Sequence, residues 1–114
     1  MSPNLKTNKR ARMYRTMLRK ACREGVNFAG HFVLTHWGCG TNCAIGSIID
    51  IHNGQVYFPK QLDPFGFGLE MYTHSEKFFE NRPDSRLLIL YGQVFGKWGT
   101  YYFVWNGKTL RQIA

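Results

Sequence analysis

The sequence lacks any long apolar segment. Among its 114 residues, no hydrophobic run approaches the roughly 20 residues that a membrane-spanning helix requires, which excludes that kind of anchor. The basic N-terminus is also not followed by the apolar region of a signal peptide. The sequence therefore predicts a cytoplasmic protein, or a periplasmic or exported one if the chain is a trimmed mature form. Its length predicts one domain over residues 1–114, with a flexible tail at 1–7.

Acidic residues are also scarce. The chain holds 15 Lys and Arg against seven Asp and Glu, and eight of the basic residues lie in residues 1–24 beside a single acidic one. This asymmetry indicates an anionic partner, with an acidic protein surface favoured and nucleic acid as the alternative. The simpler interpretation is a solvated helix face. The candidate contact residues, termed the basic face, are Lys9, Arg12, Arg15, Arg19 and Arg23.

The same basic segment predicts an amphipathic helix from Asn8 to Glu24. Its apolar side chains recur at spacings of three and four, which places them on one face of a helix. Gly25 suits the position just past the end, where the backbone often takes a positive φ. The predicted apolar face consists of Ala11, Tyr14, Met17, Leu18, Ala21 and Cys22.

Beyond the helix, apolar residues recur at every second position, which is the spacing expected for a β-strand. The pairs Asn53-Gly54 and Asn106-Gly107 indicate tight turns, and short connections favour antiparallel neighbours. The sequence therefore predicts an α+β fold, in which the N-terminal helix packs on a twisted antiparallel meander of about six strands. A half-closed barrel is the alternative. The predicted strands are His31–Trp37, Ala44–Ile51, Gln55–Phe58, Leu87–Val94, Thr100–Trp105 and Thr109–Ile113.

Residues 60–85 give weaker patterns. The segment Pro64–Gly68 predicts a loop that carries exposed rings, and the segment Arg82–Ser85 predicts a turn. Ser75–Asn81 predicts either a short helix or an irregular edge strand. No internal repeat and no low-complexity segment interrupts the chain.

The most informative segment lies at 25–43. Its nineteen residues hold two of the three cysteines, two of the four histidines and four of the twelve glycines. Because glycine is favoured where the backbone takes unusual dihedral angles, this cluster predicts a loop of defined shape. The candidate binding loop consists of Trp37, Gly38, Gly40, Thr41 and Asn42.

Cys39 and Cys43 allow three kinds of chemistry. A tight loop could bring their sulfurs to disulfide distance. Alternatively, His36, Cys39 and Cys43 could hold zinc with His31 as a further ligand, although residues 31 and 36 point to opposite faces of a strand. In the third interpretation, Cys39 or Cys43 is a nucleophile and His31 or His36 is its base, with Cys39 and His31 as the favoured pair. Cys22, on the apolar helix face, is expected to be a small core residue.

From about Arg12 onward, the chain resembles a family of small bacterial proteins. The resemblance rests on the runs Asn27-Phe28-Ala29-Gly30-His31 and Trp37-Gly38-Cys39-Gly40-Thr41, followed by Cys43. Members of this family often have the features of exported proteins, so the resemblance favours a disulfide between Cys39 and Cys43. It implies no catalytic role for any residue.

These observations favour a small non-enzymatic binding module, comparable to an inhibitor or an immunity protein. We expect the glycine- and cysteine-rich loop to form its contact surface and the basic face to attract an acidic partner. Two alternatives stay open: a small enzyme that uses Cys39 and His31, and a nucleic-acid-binding protein that works through the basic face. No cofactor and no bound metal are predicted.

Overall fold

The computed structural model describes residues 9–40, 43–66 and 79–113. Several predictions therefore lie outside the described residues: the flexible tail at 1–7, Thr41 and Asn42 of the binding loop, and the first part of the segment Ser75–Asn81. The described residues form two helical segments, eight strands and one short 3-10 turn at Lys60–Leu62.

The N-terminal helix forms as two consecutive segments. Helix α1 spans Lys9–Met13 and helix α2 spans Arg15–Glu24. Tyr14 interrupts them with a φ of −107° and a ψ of 26°, although its carbonyl still accepts a hydrogen bond from the Leu18 N–H at 3.1 Å. Gly25 follows α2 with a φ of 90°, a conformation that glycine adopts at little steric cost. No helix within the described ranges is long and apolar enough to cross a membrane.

The strands form one antiparallel sheet, as the alternating pattern predicts. They are β1 (Phe32–Gly40), β2 (Cys43–Asp50), β3 (Val56–Tyr57), β4 (Phe65–Gly66), β5 (Phe79–Glu80), β6 (Leu87–Val94), β7 (Lys97–Trp105) and β8 (Leu110–Gln112). The pairing order is β1-β2-β4-β6-β7-β8, while β3 pairs with β2 and β5 pairs with β6. The sheet is therefore open and is not a simple meander. Its eight strands within the described residues exceed the predicted six, because β4 and β5 are short strands in a segment of weak pattern.

Alternate side chains of β1 and β2 enter two different apolar clusters. Leu34 and Ile48 belong to the main core, which is completed by buried residues of β4 to β8. On the opposite face, Val33 and Ile49 share a second cluster, termed the helix-packed cluster, with Leu18 and other apolar residues of the helix. The period of two along each strand explains this division. The β1–β2 hairpin thus contacts the helix on one face and the rest of the sheet on the other.

The segment Pro64–Gly68 differs from its prediction. Phe65 is expected in a loop with exposed rings, but it is only 2% exposed and lies in β4. Its backbone pairs with Ala44 of β2, and its side chain belongs to the main core. The expectation of an exposed ring is therefore wrong for Phe65, because pairing with a strand distant in sequence buries it. In the segment Ser75–Asn81, Phe79 and Glu80 form β5, so the strand alternative holds for these two residues.

Candidate functional site

A disulfide between Cys39 and Cys43 closes the end of the β1–β2 hairpin. Their Cα atoms lie 5.2 Å apart, within the normal range for disulfides. The strand register shifts just before the bridge, so that Gly38 pairs with Ala44 whereas Gly40 pairs with Cys43. Gly40 has a φ of 139°, in the region that favours glycine. Of the three kinds of chemistry that the sequence allows for these cysteines, the structure contains the disulfide.

The disulfide has consequences for the two other interpretations. Its two sulfurs are bonded to each other, so neither Cys39 nor Cys43 is a thiolate for nucleophilic attack or for zinc coordination with His36. His31 also lies just before β1, whereas Cys39 lies near the far end of that strand. An extended strand separates them by roughly 25 Å. The structure therefore assembles neither the catalytic pair Cys39 and His31 nor the zinc ligands His36, Cys39 and Cys43.

Trp37 is predicted as part of the binding loop, but the structure places it beneath the loop. It is only 7% exposed and belongs to the helix-packed cluster. The centroid of its ring lies 4.7 Å from that of Tyr14 and 6.3 Å from that of Phe58. Gly38, Cys39 and Gly40, by contrast, are exposed. Trp37 therefore supports the loop from the helix side, and the neighbouring residues of the loop are the ones that face solvent.

Two exposed aromatic residues lie at the same end of the sheet as the disulfide. Across the strands, Cys43 pairs with Gly66, Gly66 with Gln93, and Gln93 with Trp98. Three interstrand steps of about 4.8 Å place the backbone of Trp98 roughly 15 Å from that of Cys43. Trp98 is 59% exposed, and Phe95 in the adjoining β6–β7 turn is 71% exposed. The disulfide-end surface is defined here as Gly38, Cys39, Gly40, Cys43, Phe95 and Trp98.

Phe95 also has an unusual backbone conformation. Its φ is 51°, in the left-handed region that bulky residues rarely occupy, and Gly96 follows with a φ of 83°. Gln93 supports this turn, because its Nε2 donates a hydrogen bond to the Gly96 carbonyl at 3.1 Å. Val94 pairs with Lys97 across this two-residue turn, and a tight hairpin turn of this kind requires a positive φ at both central residues. The turn therefore explains the conformation of Phe95, and it is the exposure of the side chain that makes Phe95 a candidate contact residue.

The basic face begins close to the disulfide-end surface. Arg12, Arg15, Arg19 and Arg23 are all exposed, and Lys9 lies in α1. The predicted apolar side of the helix packs in the helix-packed cluster except at Met17, which is 47% exposed. Because the ring of Tyr14 contacts that of Trp37, the start of α2 lies beside the closed end of the β1–β2 hairpin. Arg12 and Arg15 lie within two residues of Tyr14 in sequence.

A cleft of about 1060 Å³ lies between α2, β1 and the β5–β6 pair. His36 lines it, and the centroid of its ring lies 5.5 Å from that of Phe79. Surrounding side chains displace water from the imidazole and lower its pKa, although part of the residue remains exposed. The cleft selects neither an anion nor a cation, because its lining holds charges of both signs. These are Lys20, Glu24, Glu80 and Arg82.

His31 lies close to Asp50 and His52, and we term these three residues the histidine cluster. The Nε2 atom of His31 is 3.7 Å from Oδ2 of Asp50. The rings of His31 and His52 stack with centroids 4.2 Å apart and planes inclined by 6°. Oδ1 of Asp50 accepts a hydrogen bond from the His52 backbone N–H at 2.9 Å.

His52 is not among the residues predicted from the sequence, although the strand pairing contains a signal for it. The register of β1 with β2 pairs Phe32 with Asp50 and Leu34 with Ile48. Continued by one step, this register places His31 opposite Ile51, whose N–H donates to the His31 carbonyl at 3.0 Å. Counting outward from the connection at 41–42 would therefore have predicted that His31 lies beside residues 50 to 52.

Comparison with known protein families, with curated proteins and with solved structures gives no match. The function of this protein therefore has to be inferred from three local features. They are the disulfide-end surface, the basic face and the histidine cluster.

Proposed function

We propose that the protein is a small non-enzymatic binding module that docks on an acidic protein. In this proposal the disulfide-end surface makes the contact and the basic face guides the approach. The observation that carries the proposal is the location of a disulfide-closed loop and two exposed aromatic side chains, Phe95 and Trp98, at one end of the sheet. Such a module acts as an inhibitor or an immunity protein does, by covering a surface of its partner.

The disulfide supports this proposal because it restrains the backbone around Cys39 and Cys43 before binding. A loop that is already ordered loses less conformational entropy at an interface, so more of the contact energy contributes to affinity. The covalent link between Cys39 and Cys43 restricts the loop at its tip, and the packing of Trp37 on Tyr14 restricts it from below. We therefore expect the loop to keep the same shape in the free and bound states.

The two aromatic residues are suited to be the energetic centre of an interface. Tryptophan is enriched among the residues that dominate binding energy, and aromatic side chains in general bury a large area on contact. Trp98 and Phe95 are among the most exposed large apolar side chains of the described residues. They lie at the same end of the sheet as the disulfide, so one docking surface could include both the disulfide-closed loop and the two aromatic side chains.

The basic face supports an acidic partner. The chain has a formal net charge of +8, and four arginines of the basic face are exposed along one side of the helix. Charges at the rim of an interface accelerate the approach of an oppositely charged partner more than they increase the final affinity. We therefore assign the basic face to attraction and orientation, and the disulfide-end surface to contact.

The disulfide also supports an oxidising setting. Structural disulfides persist outside the cytosol and are rare in reducing compartments. We therefore propose a periplasmic or exported protein, in preference to the cytoplasmic one that the sequence predicts. Trapping free thiols with an alkylating reagent in intact cells should find Cys39 and Cys43 unmodified and Cys22 modified after denaturation. Equal modification of all three cysteines would contradict the proposed setting.

Site-specific photo-crosslinking tests the proposed contact surface. A photoreactive amino acid at position 95 or 98 should crosslink to the same acidic protein in cells that produce this chain. The matched control is position 113, because Ile113 is 51% exposed but lies outside the disulfide-end surface, just after β8, where its N–H donates to the Tyr102 carbonyl. With the crosslinked partner purified, Trp98→Ala should weaken binding by about 30-fold or more, as loss of a central aromatic contact does, whereas Ile113→Ala should not. Crosslinks of equal yield from position 113 would contradict the proposal.

The exposed arginines also favour a second candidate, a protein that binds nucleic acid through the basic face. Binding of a fluorescently labelled 20-nucleotide single strand would distinguish the two functions. If nucleic acid is the partner, Arg15→Ala and Arg19→Ala should weaken binding, and the affinity should fall steeply with added salt. If the proposed function is correct, any such binding is weak, and Trp98→Ala impairs binding of the protein partner alone.

A further inference from the structure

We propose that His31, Asp50 and His52 form a binding site for a divalent metal ion of the zinc class. Within the described residues, one imidazole nitrogen of each histidine and one carboxylate oxygen of Asp50 lie within 4.8 Å of one another. Two imidazoles and one carboxylate are a donor set that suits Zn²⁺ and related transition metals. Ca²⁺ and Mg²⁺ prefer sites made of oxygen atoms, so the two histidines select against them.

The local structure holds Asp50 ready for such a role. Its Oδ1 accepts the His52 N–H at 2.9 Å, which orients the carboxylate and directs Oδ2 toward Nε2 of His31 at 3.7 Å. The Asp50 backbone is fixed as well, because its N–H donates to the Gln55 carbonyl and its carbonyl accepts from Gly54. The Asp50 side chain is only 13% exposed, whereas that of His31 is 36% exposed. Hydrogen bonds that orient a partly buried carboxylate beside an accessible imidazole favour metal coordination by both groups.

Binding requires one movement, the rotation of a histidine ring. A metal ion lies close to the plane of each imidazole that binds it, but the rings of His31 and His52 are stacked at 6° with their centroids 4.2 Å apart. Two parallel planes share no point where one ion could bind both rings. His52 is exposed in the turn after β2, so its side chain can rotate away from the stack. Ligand atoms around tetrahedral zinc lie about 3.4 Å apart, so separations of up to 4.8 Å need to close by at most about 1.4 Å.

Titration calorimetry with ZnCl₂ on the protein free of a histidine tag tests this site. One equivalent of Zn²⁺ should bind, and Mg²⁺ should not compete. His52→Gln and His31→Gln should each lower the affinity at least about 10-fold, since even loss of a residue that only supports a metal ligand costs this much. The matched control is His36→Gln, which removes a histidine of the cleft and should leave the affinity within about twofold of the wild type. Because His52 is exposed, its variant should keep the fold, which the thermal unfolding midpoint will verify.

NMR spectra give a second readout that does not depend on affinity. Addition of Zn²⁺ should shift the ring signals of His31 and His52 and leave those of His36 in place. Acidification should weaken binding, because imidazoles bind metal ions only in the neutral form. The proposal is overturned if Zn²⁺ does not bind, if His36→Gln lowers the affinity as much as His52→Gln does, or if the ring signals of His31 and His52 do not move.

Discussion

Removal of the Cys39–Cys43 disulfide should lower the free energy of unfolding by about 2 kcal/mol while the sheet stays folded. The two cysteines are four positions apart, and closing so short a ring restricts the unfolded chain by about 2 kcal/mol at 25 °C in the loop-entropy treatment. Neither cysteine belongs to the main core or to the helix-packed cluster. The change therefore removes a restriction on the unfolded chain without opening a cavity in the folded one.

Urea denaturation of the Cys39→Ser/Cys43→Ser double variant measures this loss. The midpoint should fall while the dependence of the unfolding free energy on urea changes little, since the folded structure buries the same surface and so short a ring restricts only a few residues of the unfolded chain. Wild-type protein treated with a reductant is the matched control and should reproduce the midpoint of the variant. Cys22 is not bridged, so the reductant changes no other bond among the described residues.

A large loss of stability would contradict the conclusion that the disulfide acts only through the entropy of the unfolded chain. A decrease above about 4 kcal/mol, or loss of the far-ultraviolet strand signal, would mean that the bridge holds the sheet together, since a ring of this size cannot supply so much by entropy alone. The double variant should also dissociate faster from the protein partner, because its loop has to be ordered on binding. An unchanged dissociation rate would remove the main support for a preorganised contact surface.

Three further predictions concern the fold and the cleft. Leu18→Ala should lower the free energy of unfolding, measured by urea denaturation, by about 2 to 5 kcal/mol, since Leu18 is fully buried. The control Met17→Ala, at a neighbouring side chain that is 47% exposed, should change it by only about 0.5 kcal/mol. Gly92→Ala should destabilise the protein by at least about 1 to 3 kcal/mol, because its Cβ would meet the β4 backbone carbonyl, while Gly38→Ala, with no atom within 4 Å of the new Cβ, should be tolerated in the same assay. The pKa of His36, measured by NMR, should lie below the 6.5 of free histidine, because burial lowers it. In the pH range of this titration, the folded protein then binds fewer protons than the unfolded chain. The corresponding contribution to stability is therefore present at neutral pH and is lost as the pH falls through the lowered pKa.

The long strands were predictable because local pattern and tertiary environment agree in them. β6 has the predicted bounds Leu87–Val94, and its burial alternates residue by residue as its apolar pattern does. β1 extends three residues past the predicted end at Trp37, since its pairing with β2 continues into the glycine-rich segment. The two-residue strand β4 was not predicted, and β5 was predicted only as one of two alternatives for the segment Ser75–Asn81. They exist through pairing with β2 and β6, which are distant in sequence and leave no local periodicity.

Of the candidate site, only the disulfide was predictable from the sequence. The spacing of Cys39 and Cys43 allows a disulfide, and this disulfide is present. The exposure of Trp98 depends on which face of β7 points away from the core, and Phe95 owes its exposure to a positive φ in a turn. The placement of His52 beside His31 depends on the register between β1 and β2. Each of these features follows from strand pairing, which a single sequence specifies less clearly than it specifies the presence of a strand.

The histidine cluster and the disulfide-end surface lie at opposite ends of β1, so we expect them to act independently. A separation of roughly 25 Å along the strand is well beyond the distance at which two changes normally influence each other. The Cys39→Ser/Cys43→Ser variant should therefore bind Zn²⁺ within about twofold of the wild type, and His52→Gln should keep the affinity for the protein partner. Calorimetric titration of the partner with and without Zn²⁺ measures the same relation directly. If Zn²⁺ changes the affinity for the partner, then the partner must change the affinity for Zn²⁺ by the same factor, and β1 would have to be treated as a link between two coupled sites.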